Sequence, residues 1–308
     1  TERRSVLEIA DSLESRGGLL NAFTTRDMTC YYASFLDEDI ELAVDVLSDI
    51  LNHSVLAPEE IEREKHIVLE EIRSTQDVPE EFVQDIFGDT VLSPDPTGKP
   101  VLGSPETVLS FTRNEVIEYL ARWYTGSNIV IAAAGNVHHD RFVDLISSHF
   151  TFDDADIHTD LQSFAPSEAT RIDMHRKVQQ AHVCIGARTF GFSDNRRTAL
   201  WLLNTVLGSG MSSRLFQNIR EHHGLAYAIY SFTELFQETG FITAYAATET
   251  KNCERTIELI EKEYRNLSGI LLDSETIARA KSQLKGSLIL SLENTSNRMN
   301  RLAKQEIF

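Results

Sequence analysis

The two halves of this chain repeat one another, and that repetition limits the folds that the chain can adopt. The stretch LESRGGLLNAF in the first half is matched by IREHHGLAYAI in the second. Each half shows a helix that ends in glycine, two strand-like segments, an acidic amphipathic helix, a short break and a further helix. Repetition at this scale predicts a duplicated unit of helices and antiparallel strands. We therefore expect an α+β fold of two similar domains.

The boundary between the two copies is predicted near residue 160. Segment 151–170 is acidic, contains proline and has no hydrophobic periodicity, which is typical of an exposed linker between domains. We assign residues 1–160 to the first domain and residues 161–308 to the second. A length of 308 residues agrees with two domains rather than one.

Several elements can be placed from local patterns. A helix capped by Thr1 is expected to run to about Glu14, and an Arg26-Asp27 turn is expected to join strands LLNAFTT and TCYYASFL. The run NIVIAAAG, the most apolar in the chain, is predicted to be a buried strand. The segment SSRLFQNIREHHG is predicted to be a helix.

Composition and charge argue against several classes of protein. The 29 basic and 47 acidic residues give a net charge of -18, which argues against nucleic-acid binding. No apolar run is long enough for a membrane span, and no secretory signal opens the chain. We expect no membrane association and a cytoplasmic location, with the periplasm and the mitochondrial matrix as alternatives. Three widely spaced cysteines indicate neither a disulfide framework nor a thiolate metal site.

Two glutamates on one predicted helix, EREKHIVLEEIR, differ from their neighbours. On a helical wheel, Glu64 and Glu71 lie between the apolar stripe of Ile61, Val68 and Ile72 and the side chain of Ile67, so we expect both acids to be at least half buried. His66 projects elsewhere and is not expected to share a metal with Glu71.

The second copy lacks these acids and has Ala280 and Leu284 near the corresponding positions. A pair of half-buried acids in one copy only indicates a function in the first half. A purely structural role, with the acids bound to an arginine or to a helix N-terminus, is the alternative.

Four separated segments resemble one known family. GGLLNAFTTRDMTCYYASFL, EREKHIVLEEI, YTGSNIVIAAAGNV and SSRLFQNIREHHGLAYAIYS together resemble the pitrilysin/insulinase family of zinc metallopeptidases, particularly the mitochondrial processing peptidase and its bacterial relatives. The resemblance extends over essentially the whole chain. It implies two domains that face each other across a cleft, with zinc as the cofactor of the intact protein and a peptide as the substrate.

The resemblance also assigns roles to particular residues. It implies that Glu71 is a zinc ligand and that Glu64 is the carboxylate that supports it. The backbone of Asn21, Ala22 and Phe23 is expected to bind a peptide as an added β-strand. Arg220 and Tyr227 are expected to contact the substrate and the oxyanion, which makes them the candidate catalytic residues.

One part of the family pattern is missing from this sequence. The family binds zinc through an HxxEH motif upstream of the segment that matches Thr1, and no HxxEH occurs here. We therefore expect the chain to be a fragment of a zinc endopeptidase, cut at both ends, that as given binds no catalytic zinc and cleaves no peptide. The alternative is a non-catalytic family member that binds peptides or acts as a scaffold partner, in a homodimer or in a heterodimer with a family subunit.

Overall fold

The computed structural model describes residues 1–153 and 169–308, so most of the predicted linker lies outside the described residues. The fold mixes α-helices with small antiparallel sheets, as predicted. The helices are α1 (Val6–Glu14), α2 (Ile40–Asn52), α3 (Pro58–Asp77), α4 (Pro79–Leu92), α5 (Pro105–Ser110), α6 (Arg113–Trp123), α7 (His139–His149), α8 (Arg197–Gly208), α9 (Cys253–Gly269), α10 (Ser274–Ser291) and α11 (Thr295–Ile307). The strands are β1 (Leu19–Thr24), β2 (Thr29–Ser34), β3 (Ala181–Phe190), β4 (Ala226–Leu235) and β5 (Thr239–Thr248), and a π-helix spans Phe216–His222.

The repeated order of elements predicted from the sequence is present in the structure. The first copy runs α1, β1, β2, α2 and α3, and the second runs π-helix, β4, β5, α9 and α10. The glycine before each first strand matters, because Gly17 and Gly224 have φ angles of 77° and 61°. Such left-handed backbone favours glycine, which lets the chain leave the helix and enter the strand.

The described residues group into two compact units, and each unit is built from separate stretches of chain. The first comprises Thr1–Leu69, Ser104–Asp160 and Ser291–Phe308, and the second comprises Glu70–Gly103 and Leu161–Leu290. The division of the chain into homologous domains at residue 160 stays a prediction.

The second unit contains a three-stranded antiparallel sheet in the order β3-β5-β4. All ten residues of the central strand β5 are buried, because helices cover both faces of the sheet. Ile242, Ala244 and Ala246 belong to the larger core, to which α8, the π-helix and α9 also contribute. Phe241, on the alternate face, packs with Val91 and Leu92 of α4.

In the first unit, β1 and β2 form a two-stranded antiparallel sheet, and α2 supplies much of the buried surface. Leu13 of α1 is fully buried, as are Ala43, Val44 and Val46 along one face of α2. The apolar positions of α2 recur at helical spacing, which is why the sequence pattern located this helix.

Three local predictions differ from the structure. Helix α1 starts at Val6 rather than after Thr1, because Ser5 and Glu8 form a reciprocal capping box. The run NIVIAAAG forms no strand: Ile129 is extended, but no strand of the described residues pairs with this segment. Apolar composition cannot make a strand without a hydrogen-bonding neighbour. The predicted helix SSRLFQNIREHHG is mostly the π-helix.

In the described parts of the chain, no helix combines the length and the apolar character needed to cross a membrane. The three cysteines, Cys30, Cys184 and Cys253, are free and partly buried.

Candidate functional site

The two glutamates that the sequence singled out are exposed. Glu64 and Glu71 both face solvent on α3, so the prediction that they are at least half buried is wrong. Helix α3 packs on its neighbours through only a narrow face, because Ile72 is its one buried residue and the Ile67 side chain is 46% exposed. An acid that flanks so narrow an apolar stripe can turn its carboxylate to water. His66 is exposed as well.

The residues around Glu71 do not by themselves fit a zinc ion. A zinc site in a protein requires at least three protein ligands at a tetrahedral centre. Within residues 1–153 and 169–308, no group of three or more His, Cys, Asp and Glu side chains could hold a metal. The role of Glu71 as a zinc ligand and that of Glu64 beside it therefore remain predictions from the family resemblance.

The segment LNAFT forms strand β1, which pairs with β2 along one edge. The register pairs Asn21 with Tyr32, Ala22 with Tyr31 and Phe23 with Cys30. Along the other edge, β1 has no strand partner among the described residues. This free edge is what the predicted addition of a peptide strand requires.

Alternation along β1 decides which residues face the free edge. Just beyond the strand, the N–H of Thr25 donates to the carbonyl of Met28 over 2.8 Å, so Thr25 points toward β2. Because strand residues alternate, Asn21 and Phe23 also direct their backbone groups to β2, whereas Ala22 directs its groups to the free edge. The N–H of Ala22 agrees, since it donates instead to the side-chain Oδ1 of Asn21 over 2.8 Å. Of the three predicted peptide contacts, Ala22 has the backbone orientation suited to the role.

Arg220 and Tyr227 are brought together, although they lie on different elements. The guanidinium of Arg220 lies 4.9 Å from the ring centroid of Tyr227, and its Nη1 donates to the Tyr227 carbonyl over 2.7 Å. The Tyr227 side chain is 78% exposed. The pair therefore presents a cation and a phenol at the start of β4, where each can meet a ligand.

Phe216 is a member of this arrangement that the sequence analysis missed. Its ring lies 4.7 Å from the Arg220 guanidinium, so the cation is held between Phe216 and Tyr227. Both aromatic rings limit the rotamers that Arg220 can adopt. The spacing of Phe216 and Arg220, four residues apart in a predicted helix, was a signal that could have identified it.

A second group of polar residues, Tyr230, Glu80 and Gln84, lies between β4 and α4 and was not predicted from the sequence. The Tyr230 hydroxyl donates to Oε1 of Glu80 and accepts from Nε2 of Gln84 over 2.8 Å. Burial, together with the neighbouring Glu80, raises the pKa of Tyr230 above its ordinary value. Tyr230 therefore stays neutral at physiological pH and joins β4 to α4.

Comparison of the chain with models of known sequence families identifies its family. A family model described as Insulinase (Peptidase family M16) matches residues 1–104, and one described as Peptidase M16 inactive domain matches residues 110–284. The chain belongs to the insulinase family, peptidase family M16. The resemblance noted from the sequence motifs is thereby confirmed.

Curated relatives agree with this family assignment. The chain is 38% identical over 315 residues to an uncharacterised zinc protease of Streptomyces coelicolor, a match that covers 100% of this chain and 69% of the relative. It is 36% identical over 310 residues to the zinc protease YmxG of Bacillus subtilis, with 100% and 75% covered. The M16 assignment thus extends over the whole chain.

Solved structures show the same fold. A peptidase M16 inactive domain from Pseudomonas fluorescens superposes with a TM-score of 0.87 at 18% identity, over 99% of this chain and 74% of that one. A chain of complex III2 from Candida albicans superposes with a TM-score of 0.83 at 20% identity, over 98% and 75%. At these identities the likeness establishes the M16 fold alone.

Proposed function

We propose that this M16 chain binds extended peptides, and that the peptide adds as a strand to the free edge of β1. The observation that carries the proposal is the orientation of Ala22, whose backbone faces that edge and whose N–H is occupied by a side chain rather than by a strand. When a peptide binds, one of its backbone carbonyl oxygens would replace Oδ1 of Asn21 as the acceptor for the Ala22 N–H. Main-chain hydrogen bonds would then supply affinity with little dependence on peptide sequence.

We propose that Arg220 and Tyr227 contribute contacts to peptide carbonyl oxygens. The Tyr227 hydroxyl is a donor on an exposed side chain, and the Arg220 guanidinium retains donors beyond the one that binds the Tyr227 carbonyl. Both groups suit a carbonyl oxygen or the negative oxygen that develops during acyl transfer.

The proposal for the intact protein is a zinc endopeptidase in which Glu71 is one ligand and Glu64 supports it. The names of the curated relatives favour a zinc protease, and the family resemblance is what assigns Glu71 and Glu64 to the metal. In zinc proteases generally, the metal activates a water molecule and polarises the scissile carbonyl. By themselves, the described residues do not complete a metal site around Glu71.

The second candidate is a non-catalytic subunit that binds peptides or a sister chain without cleavage. The match of residues 110–284 to the model described as Peptidase M16 inactive domain favours this candidate. Both candidates share the peptide-binding edge, and they differ in whether a bound peptide is cut.

N-methylation of the peptide tests the shared part of the proposal. A ten-residue peptide that binds the chain is selected by fluorescence anisotropy and then resynthesised with one N-methyl group at each position in turn. Because an added strand uses the N–H of every second residue, we expect the dissociation constant to rise by about 5- to 10-fold at alternate positions and to change little between them. An effect without period two would contradict strand addition.

A matched pair of protein variants locates the edge. Ala22→Pro removes the N–H that faces the free edge and would donate to a peptide carbonyl, so it should raise the dissociation constant of the unmethylated peptide, whereas Ala22→Ser retains the N–H and should leave that constant unchanged. Circular dichroism on both variants checks that the sheet is intact. Mass spectrometry of the bound peptide after incubation with Zn²⁺ and the intact protein then separates the candidates, since new termini indicate the peptidase and an intact peptide indicates the non-catalytic subunit.

A further inference from the structure

The last turn of α2 contains three buried side-chain atoms that have no hydrogen-bond partner. They are Oδ1 of Asp49, Oδ1 of Asn52 and Nδ1 of His53, and within the described residues no other buried side-chain atom is left in this condition. Buried polar atoms in folded proteins nearly always have a partner. Three such atoms in one turn therefore indicate a ligand that they share.

The other polar atoms of these residues are already engaged, which fixes how the residues are oriented. Oδ2 of Asp49 accepts from Nη1 of Arg4 and from the Thr1 hydroxyl, each over 2.8 Å. Nδ2 of Asn52 donates to the Thr151 carbonyl over 3.0 Å. A flipped Asn52 amide would place its oxygen against that carbonyl, so Oδ1 must be the atom that remains without a partner.

All three unpartnered atoms can act as acceptors. Oδ1 of Asp49 is a carboxylate oxygen, and the other oxygen of the same carboxylate already accepts from Arg4 and Thr1. A proton on Nδ1 of His53 could serve one neighbouring oxygen, but it would leave the Asn52 oxygen without a donor.

The spacing of Asp49 and His53 suits a cation. Residues four apart lie on the same helix face, and here Oδ1 of Asp49 and Nδ1 of His53 are 3.3 Å apart, which makes them an ion pair when the imidazole is protonated. A charge-assisted hydrogen bond between such atoms is normally shorter, at about 2.7–2.9 Å. Two ligands that bind zinc tetrahedrally at about 2.0–2.1 Å are separated by about 3.3 Å.

We propose that Asp49, Asn52 and His53 bind one divalent transition-metal cation, through a carboxylate oxygen, an amide oxygen and an imidazole nitrogen. Imidazole favours zinc and its neighbours in the first transition row over magnesium or calcium. Arg4 and Thr1 hold the carboxylate from behind, as outer partners of metal ligands do. The cation would fix the end of α2 against the segment Thr1–Arg4 and against Thr151. This site uses none of the residues in the proposed peptide-binding function.

Titration of the metal-free protein with Co²⁺ at pH 7.5 tests the proposal. We expect one Co²⁺ per chain with the visible absorption of a nitrogen- and oxygen-liganded ion, and chelation by EDTA should lower the thermal midpoint. His53→Gln should weaken Co²⁺ binding at least tenfold and remove the effect of EDTA. His66→Gln, which changes an exposed histidine on α3, is the matched control and should bind Co²⁺ as the unmodified chain does.

Two results would overturn the proposal. One is equal Co²⁺ affinity in His53→Gln and in the unmodified chain. The other is no Co²⁺ binding, accompanied by a ¹⁵N spectrum in which Nδ1 of His53 carries a proton at pH 7.5, since a proton would then occupy the place assigned to the metal. If Asp49→Asn folds, it provides a second variant of a proposed ligand. If it does not fold, His53→Gln alone tests the site, because the His53 side chain is half-exposed and its replacement should not prevent folding.

Discussion

Arg188 lies on β3 with its side chain almost wholly buried, and its guanidinium contacts residues that include Asp95, Thr239 and Leu92. Nη2 pairs with Oδ2 of Asp95 over 2.9 Å, Nε donates to the Thr239 hydroxyl over 2.8 Å, and Nη1 donates to the Leu92 carbonyl. The side chains of Arg188 and Asp95 are 10% and 7% exposed. At so low an exposure, loss of one charge leaves the other desolvated without compensation.

We predict that Arg188→Met lowers the free energy of unfolding by about 3–5 kcal/mol, because Asp95 would remain buried without its cation. Urea titration followed by circular dichroism measures the change. Arg255→Met, which removes an exposed pair with Glu258, is the control and should cost less than about 1 kcal/mol. If Arg188→Met and Arg255→Met lowered the free energy of unfolding equally, burial would not be the reason that the Arg188–Asp95 pair stabilises the protein.

At the scale of elements, the contact of α8 with β4 depends on one residue without a side chain. A Cβ atom added to Gly208 would lie 2.4 Å from both the backbone nitrogen and the hydroxyl of Ser231. Ser231 cannot easily move, because its hydroxyl binds Oδ1 of Asn204 over 2.7 Å. The close approach of helix and strand therefore requires glycine at this position.

We predict that Gly208→Ala destabilises the protein by about 1–3 kcal/mol or more, because the helix must move away from the strand. Gly286→Ala on α10 is the matched control. Apart from the neighbouring residues and the backbone of α10 itself, no heavy atom of the described residues lies within 4 Å of a Cβ added there, so relief of the glycine penalty in a helix should stabilise the protein by up to about 1 kcal/mol. Thermal unfolding of the two variants should shift in opposite directions, and a neutral Gly208→Ala would contradict the packing argument.

Elements with their own periodicity could be predicted from the sequence, and elements that depend on a neighbour could not. Helices α2 and α3 and the hairpin β4–β5 follow from local spacing and turns. The apolar run from Asn128 has the composition of a strand, but a strand also needs a partner. Helix α4 was not predicted, because the Phe87 and Val91 side chains that pack it on the sheet give only a weak helical pattern.

The candidate site shows the same division between local and tertiary information. Family spacing singled out Arg220 and Tyr227 as substrate contacts, which stays a prediction, whereas their direct contact with each other was not predicted and is seen only in the structure. The exposure of Glu64 and Glu71 could not be inferred from a helical wheel. The wheel shows which way a side chain projects from the helix, but not whether another element packs against that side. The orientation of Ala22 toward the free edge required the register of β1 on β2, which sequence does not encode locally.

At the scale of the whole molecule, excess negative charge opposes the compact state. The net charge is -18 at pH 7, and the isoelectric point is about 5.0. Mutual repulsion of like charges is screened by salt, since the Debye length falls from about 30 Å at 0.01 M to about 8 Å at 0.15 M. Exposed ion pairs lose some strength in salt, but each contributes little.

We predict that raising NaCl from 10 to 150 mM at pH 7.5 increases the thermal midpoint, because screening reduces repulsion more in the folded state than in the expanded chain. Differential scanning calorimetry measures the shift. The same titration near pH 5, where the net charge is close to zero, is the control and should show little or no increase. A midpoint that falls with salt at pH 7.5 would mean that attractive pairs outweigh the net charge.

Each of the two units is built from separate stretches of chain, and these stretches are made in a fixed order during protein synthesis. The second unit draws its last residues from the stretch that ends at Leu290, whereas the first still requires Ser291–Phe308, where Asn300 lies near Cys30. A ribosome that adds about 5–20 residues per second would deliver that stretch roughly ten to fifty seconds after Leu69. The unit that contains Leu69 therefore receives Ser291–Phe308 only after residues up to Leu290 of the other unit have been made, and its early helices lack that stretch during the interval.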